Sequence, residues 1–278
     1  MKKLFKLLTI VLTISLLAAC TGEKKTAGLP ENLGTKDNPV KIGVVGEDTE
    51  VWDGVIARLQ EQDIYAELVT FTDYNQPNEA LLSGDLQLNS FQHQRFLDNF
   101  NKEKGSNIVS IGDTVLAPLG LYSSKIKDVS EIKNGDRIAI PDDVSNGSRA
   151  LILLQTAGLI KVNGQAGDDL TKDDITENPL NLEIIALDAS QTARSLDDVT
   201  AAAINNGMAI DAGYIPTKDS FFLEPVDDNS KPYINIIATK EENKDNEVLK
   251  KIAQAYQTDE TAKAIDETTK GSSIPAWK

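Results

Sequence analysis

Val40-Lys41-Ile42-Gly43-Val44-Val45, closed by Gly46, is the stretch from which the fold reads outward. Its β-branched residues predict a strand. Val51, Val55, Ile56 and Leu59 then recur at helical spacing, so the strand feeds a helix. Gly43 and Gly46 lack the G-x-G-x-x-G spacing of a dinucleotide site and read as a tight turn into that helix. The alternation continues. Ala66 to Phe71 is a strand, followed by a loop through Pro77 and a short helix at about Glu79 to Leu82 that stops at Gly84. Leu86 to Leu88 is a short strand. Phe96, Leu97 and Phe100 form the apolar face of a helix running to about Lys104 and ended by Gly105, and Ile108 to Ile111 opens another strand. The order βαβαβαβ predicts the α/β class, a sheet with helices on both faces.

From about Thr114 the pattern changes. Leu119 to Tyr122 reads as extended, and Arg137 to Ile140 as a strand stopped by Pro141. Asp142 to Gly147 is a polar turn, and a helix follows from about Arg149 to Gly158 with Ser145 or Asn146 as its cap. Such a turn leaves free backbone N–H groups beside Arg149, a ready anion site. Asn163 to Asp174 is an irregular loop with Thr171 as a cap. Leu182 to Leu187, Ala201 to Ile204 and Tyr233 to Ala238 are strands, and helices at about Asp245 to Gln257 and Glu260 to Thr269 close the chain. The order predicts two lobes, one from 39–114 plus 236–278 and one from 115–235. The two crossings of a discontinuous lobe form a natural hinge.

The first residues read as a targeting segment. Lys2, Lys3 and Lys6 precede an eleven-residue apolar run, Leu7 to Leu17, too short to span a bilayer and suited to a signal peptide over 1–19. Leu17-Ala18-Ala19-Cys20 resembles a bacterial lipobox, which makes Cys20 the site of lipidation and 20–38 a flexible tether. The alternative is an ordinary secretory signal with an incidental cysteine. Cys20 is the only cysteine, so no disulfide forms within the mature chain and stability rests on burial. Two or more acyl chains give stable attachment where one is marginal. Without the three signal lysines, 25 basic residues face 43 acidic ones, a net charge of −18. That excess argues against nucleic acid as a partner and against lying flat on an anionic bilayer.

Chemistry has few candidates. His93 is the only histidine, and no G-x-S-x-G accompanies it. One histidine and one acylated cysteine do not make a zinc site. The pairs Asp142-Asp143, Asp168-Asp169 and Asp227-Asp228 lack calcium-loop spacing and read as solvated turns. The expectation is therefore a protein that is no enzyme and uses no cofactor or metal. A binding reading uses the residues better, because a buried amino acid must have its carboxylate, ammonium and side chain all satisfied. Arg149 is placed to grip a carboxylate with a bidentate fork, or else to face solvent or pair with Asp142. Asn205 and Asn235 sit at or in apolar strands, where an amide needs a partner: a ligand or a neighbouring loop. Tyr74, Phe91 and His93 offer flat surfaces suited to a thioether, or else Phe91 is core and His93 structural.

The segment Phe71 to Leu97, FTDYNQPNEALLSGDLQLNSFQHQRFL, resembles the NlpA/MetQ family, the methionine-binding lipoproteins of bacterial ABC importers. The likeness runs from about Val40 to Ala255 and includes Ser145-Asn146-Gly147 leading to Arg149, Arg194 to Val199, Ala203-Ile204-Asn205 and Pro232 to Ile237. It implies a two-lobed periplasmic-binding-protein fold, type II-like, that closes on L-methionine and delivers it to a permease and its ATPase. By matching position Tyr74, Phe91 and His93 resemble the thioether side of that site, and Arg149, Asn205 and Asn235 the head-group side. The chain departs from the family at Leu88, Arg95, Phe96 and Met208, where relatives usually carry aspartate, proline, tyrosine and an aromatic. Arg95 and Phe96 are expected on the helix face away from the ligand. Met208, one turn past Asn205, is a further candidate pocket residue, and it keeps D-methionine, methionine sulfoxide, a methionine dipeptide or another apolar amino acid open as ligand. The resemblance implies a monomer lipid-anchored on the extracytoplasmic face of the cell membrane. An adhesin that keeps the fold without transport is the alternative from another class, and a secreted hydrolase is a third.

Overall fold

A computed structural model describes residues 28–277; the expected signal peptide and Cys20 lie outside the described residues. The tether expected over 20–38 is corrected from Pro30 on, where turns pack on the first lobe with Leu33 buried in its core, because an apolar side chain there gains by burial. In chain order the elements are β1 (Val40–Val45), α1 (Glu50–Gln60), β2 (Ala66–Phe71), α2 (Gln76–Ser83), β3 (Leu88–Asn89), α3 (Gln94–Lys104) and β4 (Ile108–Leu116). There follow β5 (Gly120–Tyr122), β6 (Arg137–Pro141), α4 (Val144–Thr156), β7 (Lys161–Val162), β8 (Ile175–Glu177), β9 (Glu183–Leu187), α5 (Ala189–Thr192), β10 (Ala201–Ile204), α6 (Asn206–Asp211), α7 (Pro216–Asp219) and β11 (Phe222–Leu223). The chain ends with β12 (Ile234–Lys240), α8 (Glu247–Tyr256), α9 (Asp259–Thr269) and β13 (Ile274–Pro275).

These strands form two main sheets. The first runs β13-β4-β12-β3-β1-β2, with β1 parallel to β2 and β3, and β12 antiparallel to β3 and β4. Both its faces are covered, as period-two alternation along a strand requires. Ile237 of β12 packs with Val55, Leu59, Leu249 and Ile252 under α1 and α8, whereas its neighbours Ile236 and Ala238 pack with Leu81 and Leu97 under α2 and α3. The second sheet runs β11-β5-β10-β6-β9 and is covered in the same way, Ala203 facing the α4 side and Ala202 and Ile204 the side of α6. The chain leaves the first sheet after Leu116 and returns at Ile234. Those two residues are register partners, so the crossings lie side by side.

Several local expectations are corrected. Pro77 stands in the first turn of α2, where its missing N–H costs nothing, so the helix starts earlier than the loop reading placed it. The strand expected at Leu86 to Leu88 is Leu88–Asn89, and the one opened at Ile108 continues to Leu116. Pro141 belongs to β6 at its last position. The cap of α4 is Asp143, not Ser145 or Asn146, its side chain accepting from the Asn146 N–H. Gly84 and Gly105 end α2 and α3 in left-handed geometry, φ 91° and 63°. The β7–β8 pair, β11, β13 and the short α5 to α7 have too few residues for a periodicity to show. Among the described residues no helix is long and apolar enough to cross a membrane.

Candidate functional site

Between the two sheets lies a cavity of about 230 Å³. All seven residues singled out from sequence line it. Tyr74, Phe91, His93 and Asn235 come from the first lobe, and Arg149, Asn205 and Met208 from the second. Asn235, expected in the second lobe, lies instead on β12 of the first sheet, because that strand starts at Ile234, and it forms an isolated bridge with His93.

The first-lobe wall is held from behind. Asn78, Asn89 and Gln92 are buried and bond one another: Asn78 Nδ2 to Gln92 Oε1 at 2.7 Å, Asn89 Nδ2 to Asn78 Oδ1 at 2.8 Å, and Gln92 Nε2 to both Asn78 Oδ1 and Asn89 Oδ1. A satisfied amide cluster of this kind fixes the loop that carries Phe91 and His93. Phe96 was expected to face away, but it forms part of the wall. Its ring lies 5.8 Å from Phe91 and 6.1 Å from Tyr74, both edge-on. The first turn of α3 brings it there because His93 is the helix cap, its Nδ1 accepting the Phe96 N–H at 3.1 Å.

That bond fixes the imidazole tautomer. With Nδ1 an acceptor, Nε2 carries the hydrogen and donates to Asn146 Oδ1, 3.2 Å away in the other lobe. Asn146 Oδ1 also accepts from Asn205 Nδ2 at 2.7 Å, and Asn146 Nδ2 donates to both Asp143 oxygens at 3.0 and 3.1 Å. His93 therefore has no free polar tip for an occupant. Asn146, the residue that joins the lobes here, stood out in the sequence only as a possible cap and as part of the Ser145-Asn146-Gly147 likeness, with no binding role assigned. The anion site expected at the start of α4 is filled by the protein's own Asp143 carboxylate, which accepts from the Asn146 N–H and Ser145 Oγ.

Burial, with Arg149 as the second cause, pushes the His93 imidazole down to about 3. The sign follows: the folded state keeps His93 neutral while the unfolded imidazole protonates near 6.5. The resulting stability is complete above about pH 6.5 and is lost as pH falls toward 3, by about 1.4 kcal/mol per pH unit. Between about pH 6.5 and 4.5 the wild type is expected to lose about 2–3 kcal/mol more than His93→Gln. Urea unfolding of both proteins at the two pH values checks this. Burial raises the Asp143 carboxyl and acts in the opposite sense, but that group is present in both proteins. Identical acid limbs would overturn the assignment.

Arg149 is arranged differently from expectation. It is 3% exposed and its fork is taken by Glu224, neither by Asp142 nor left to solvent. Nε donates to Glu224 Oε1 at 2.8 Å, and Nη2 to Glu224 Oε2 and to the Ala117 carbonyl at 3.1 Å. Tyr233 covers the guanidinium at 4.4 Å. Of the five N–H donors, the two on Nη1 make no hydrogen bond among the described residues, and Arg149 lines the cavity. Asn205 Oδ1 is buried and lacks a hydrogen-bond partner among the described residues.

The lobes are closed on each other around this cavity. Arg95, expected away from the ligand, is absent from the cavity wall and reaches Asp169 of the second lobe at 2.6 Å, and Asn75 Nδ2 reaches Asp188 at 3.1 Å. Asp211 accepts the Glu47 N–H at 3.1 Å and packs so tightly on the turn after β1 that a Cβ at Gly46 would lie 2.6 Å from its carboxylate. That contact and a φ of 105° require glycine there.

The family model described as NlpA lipoprotein matches residues 40–277. The D-methionine-binding lipoprotein MetQ of Salmonella typhimurium is 42% identical over 272 residues, covering 95% of this chain and 98% of that protein. Among solved structures, a nutrient-binding protein from Burkholderia cenocepacia bound to methionine superposes with a TM-score of 0.81 at 43% identity, covering 85% of this chain and 99% of that one. The substrate-binding protein of a methionine transporter from Streptococcus pneumoniae superposes at 0.82 with 42% identity, covering 86% and 96%. With a family model spanning nearly all the described residues and relatives of this identity, the chain belongs to the NlpA lipoprotein family, with its two-lobed substrate-binding fold.

Proposed function

We propose that this chain is the extracytoplasmic binding lipoprotein of an ABC importer, taking methionine into the interlobe cavity and delivering it to a permease driven by an ATPase. One juxtaposition carries the reading. The cavity sets the rings of Tyr74, Phe91 and Phe96 apart from a fixed guanidinium edge and an unpartnered amide oxygen. An α-amino acid with an apolar, polarisable side chain fits those features. Its carboxylate takes Arg149 Nη1, its ammonium takes Asn205 Oδ1, and its thioether lies against the rings, a contact of about 0.3–1.5 kcal/mol. Asn235 and Met208 complete the wall, and His93 contributes ring surface alone. The methionine named for the Salmonella and Burkholderia proteins supports this reading.

Because the two ends of the ligand contact different lobes, binding favours the closed arrangement over an open one, with motion about the paired crossings at Leu116 and Ile234. Acylation of Cys20 would hold the acidic body at the membrane through the tether. Native mass spectrometry of the purified full chain tests the proposal, with L- and D-methionine then titrated calorimetrically into ligand-free protein. A retained mass equal to methionine, and saturable heat with at least one enantiomer, are expected. Neither a retained ligand nor heat from either enantiomer would reject it.

A further inference from the structure

We propose that Glu224 is a positioning residue that sets the charge class of the ligand, restricting the cavity to molecules that carry an ammonium and no net negative charge. The inference rests on the methionine reading above and adds the charge rule to it.

Arg149 is the only lysine or arginine among the described residues that line the cavity. Glu224 neutralises it through both carboxylate oxygens and is itself fixed by the hinge, accepting the Leu119 N–H at 3.1 Å while its own N–H donates to the Leu119 carbonyl at 2.9 Å. The other acidic side chains on the wall are Asp48 and Asp211, both on exposed residues, and Asp143 stands behind Asn146. His93 adds no cation, since its Nδ1 is an acceptor. The wall therefore carries more acidic than basic side chains, and its one buried cation is already paired. A ligand carboxylate receives one guanidinium edge whose charge is already matched, whereas an ammonium meets an unpartnered amide oxygen in a field of carboxylates. A ligand with excess negative charge has no uncompensated cation to meet, which is discrimination by repulsion as much as by contact.

Two methionine derivatives separate the terms. L-Methioninamide keeps the ammonium and removes the carboxylate, and N-acetyl-L-methionine does the reverse. Competition calorimetry on the full chain is expected to place the amide at least about tenfold above the N-acetyl compound for the wild type. Glu224→Gln keeps the size and an acceptor for Arg149 but leaves its charge uncompensated, and the ratio is expected to fall at least about tenfold. A role in stability alone would weaken both ligands together and leave the ratio unmoved. Arg149→Gln combined with Glu224→Gln restores the charge balance, so its ratio is expected to return to the wild-type value or above. This variant carries the test if the single one does not fold. A wild type that prefers the N-acetyl compound, a Glu224→Gln ratio within about twofold of wild type, or a double variant that favours the anion would each overturn the charge rule. Methionine binding with an unshifted ratio rejects the rule alone. No binding of either methionine enantiomer by folded wild type rejects the function, and the rule with it.

Discussion

Arg149→Ala is expected to weaken methionine binding about a hundredfold and to lower the unfolding free energy by about 3 kcal/mol. Two separate losses produce this. The ligand carboxylate loses a charge-assisted bond inside a closed cavity, where truncating one partner costs about 2–5 kcal/mol. Glu224 and the Ala117 carbonyl lose their donors in the same substitution. A buried pair broken from one side costs about 3–5 kcal/mol, and Glu224 keeps its Leu119 N–H and a side chain 16% exposed, which favours the lower end. Calorimetry and urea unfolding read the two losses independently. They also come apart chemically: Arg149→Met with Glu224→Leu removes both charges, so stability is expected to recover most of its loss while affinity stays low. Unchanged affinity in Arg149→Ala would remove Arg149 from the ligand's contacts.

The fold was largely legible where one residue's chemistry dictates one backbone state. Val40 to Val45 had to pair because Val40, Ile42 and Val44 make one face of that strand fully apolar, and Gly84 and Gly105 mark helix ends because left-handed φ is cheap only for glycine. The site was half legible. The residues that gather at the cavity could be named, but their partners could not, since a partner depends on which loops the fold brings together. Arg149 and Glu224 are 75 residues apart, and they meet because β11 pairs with β5 and so sets Glu224 beside Leu119. Phe96 faces the cavity because His93 caps α3 and so sets the phase of its first turn, a geometric fact that apolar periodicity does not encode. Polar side chains that reach across the cleft, such as Arg95 to Asp169, look in sequence like any solvated charge.

Those cross-cleft bonds place the energetics of closure largely outside the ligand. Arg149 ties α4 to the first crossing through the Ala117 carbonyl and to the end of β11 through Glu224, so the same guanidinium also braces the chain beside that crossing. The aspartates at 169, 188 and 211 reach from the second lobe to donors on the first at separate points of the rim. Exposed contacts of this kind contribute only about 0–1 kcal/mol each. A protein held shut by such weak rim bonds can open, and a ligand needs only a modest preference for the closed form to shift the population.

Asn146 joins the two walls inside the cavity, and Asn146→Leu is expected to cost about 3 kcal/mol of stability and to weaken methionine binding at least about tenfold. Leucine fills similar space but leaves His93 Nε2–H and Asn205 Nδ2 without an acceptor, and takes from Asp143 the two contacts with the amide. Each buried group left unsatisfied costs about 1–3 kcal/mol. Asn146→Asp gives the sharper result, because it keeps an acceptor for His93 and Asn205 while setting a second carboxylate against Asp143. Two buried carboxylates that close cannot both ionise cheaply, so one holds a proton with a raised pKa. A raised carboxyl contributes stability at low pH that is lost as pH rises. The deficit of Asn146→Asp against wild type is therefore expected to be large near pH 7 and to shrink toward about pH 5, measured by urea unfolding across that range. The leucine variant lacks the proton and should keep its deficit through the same window, apart from the share of the His93 effect common to both proteins. If the aspartate deficit does not move with pH, Asn146 does not lie against Asp143 in the way described, and the link it makes between His93 and Asn205 loses its anchor.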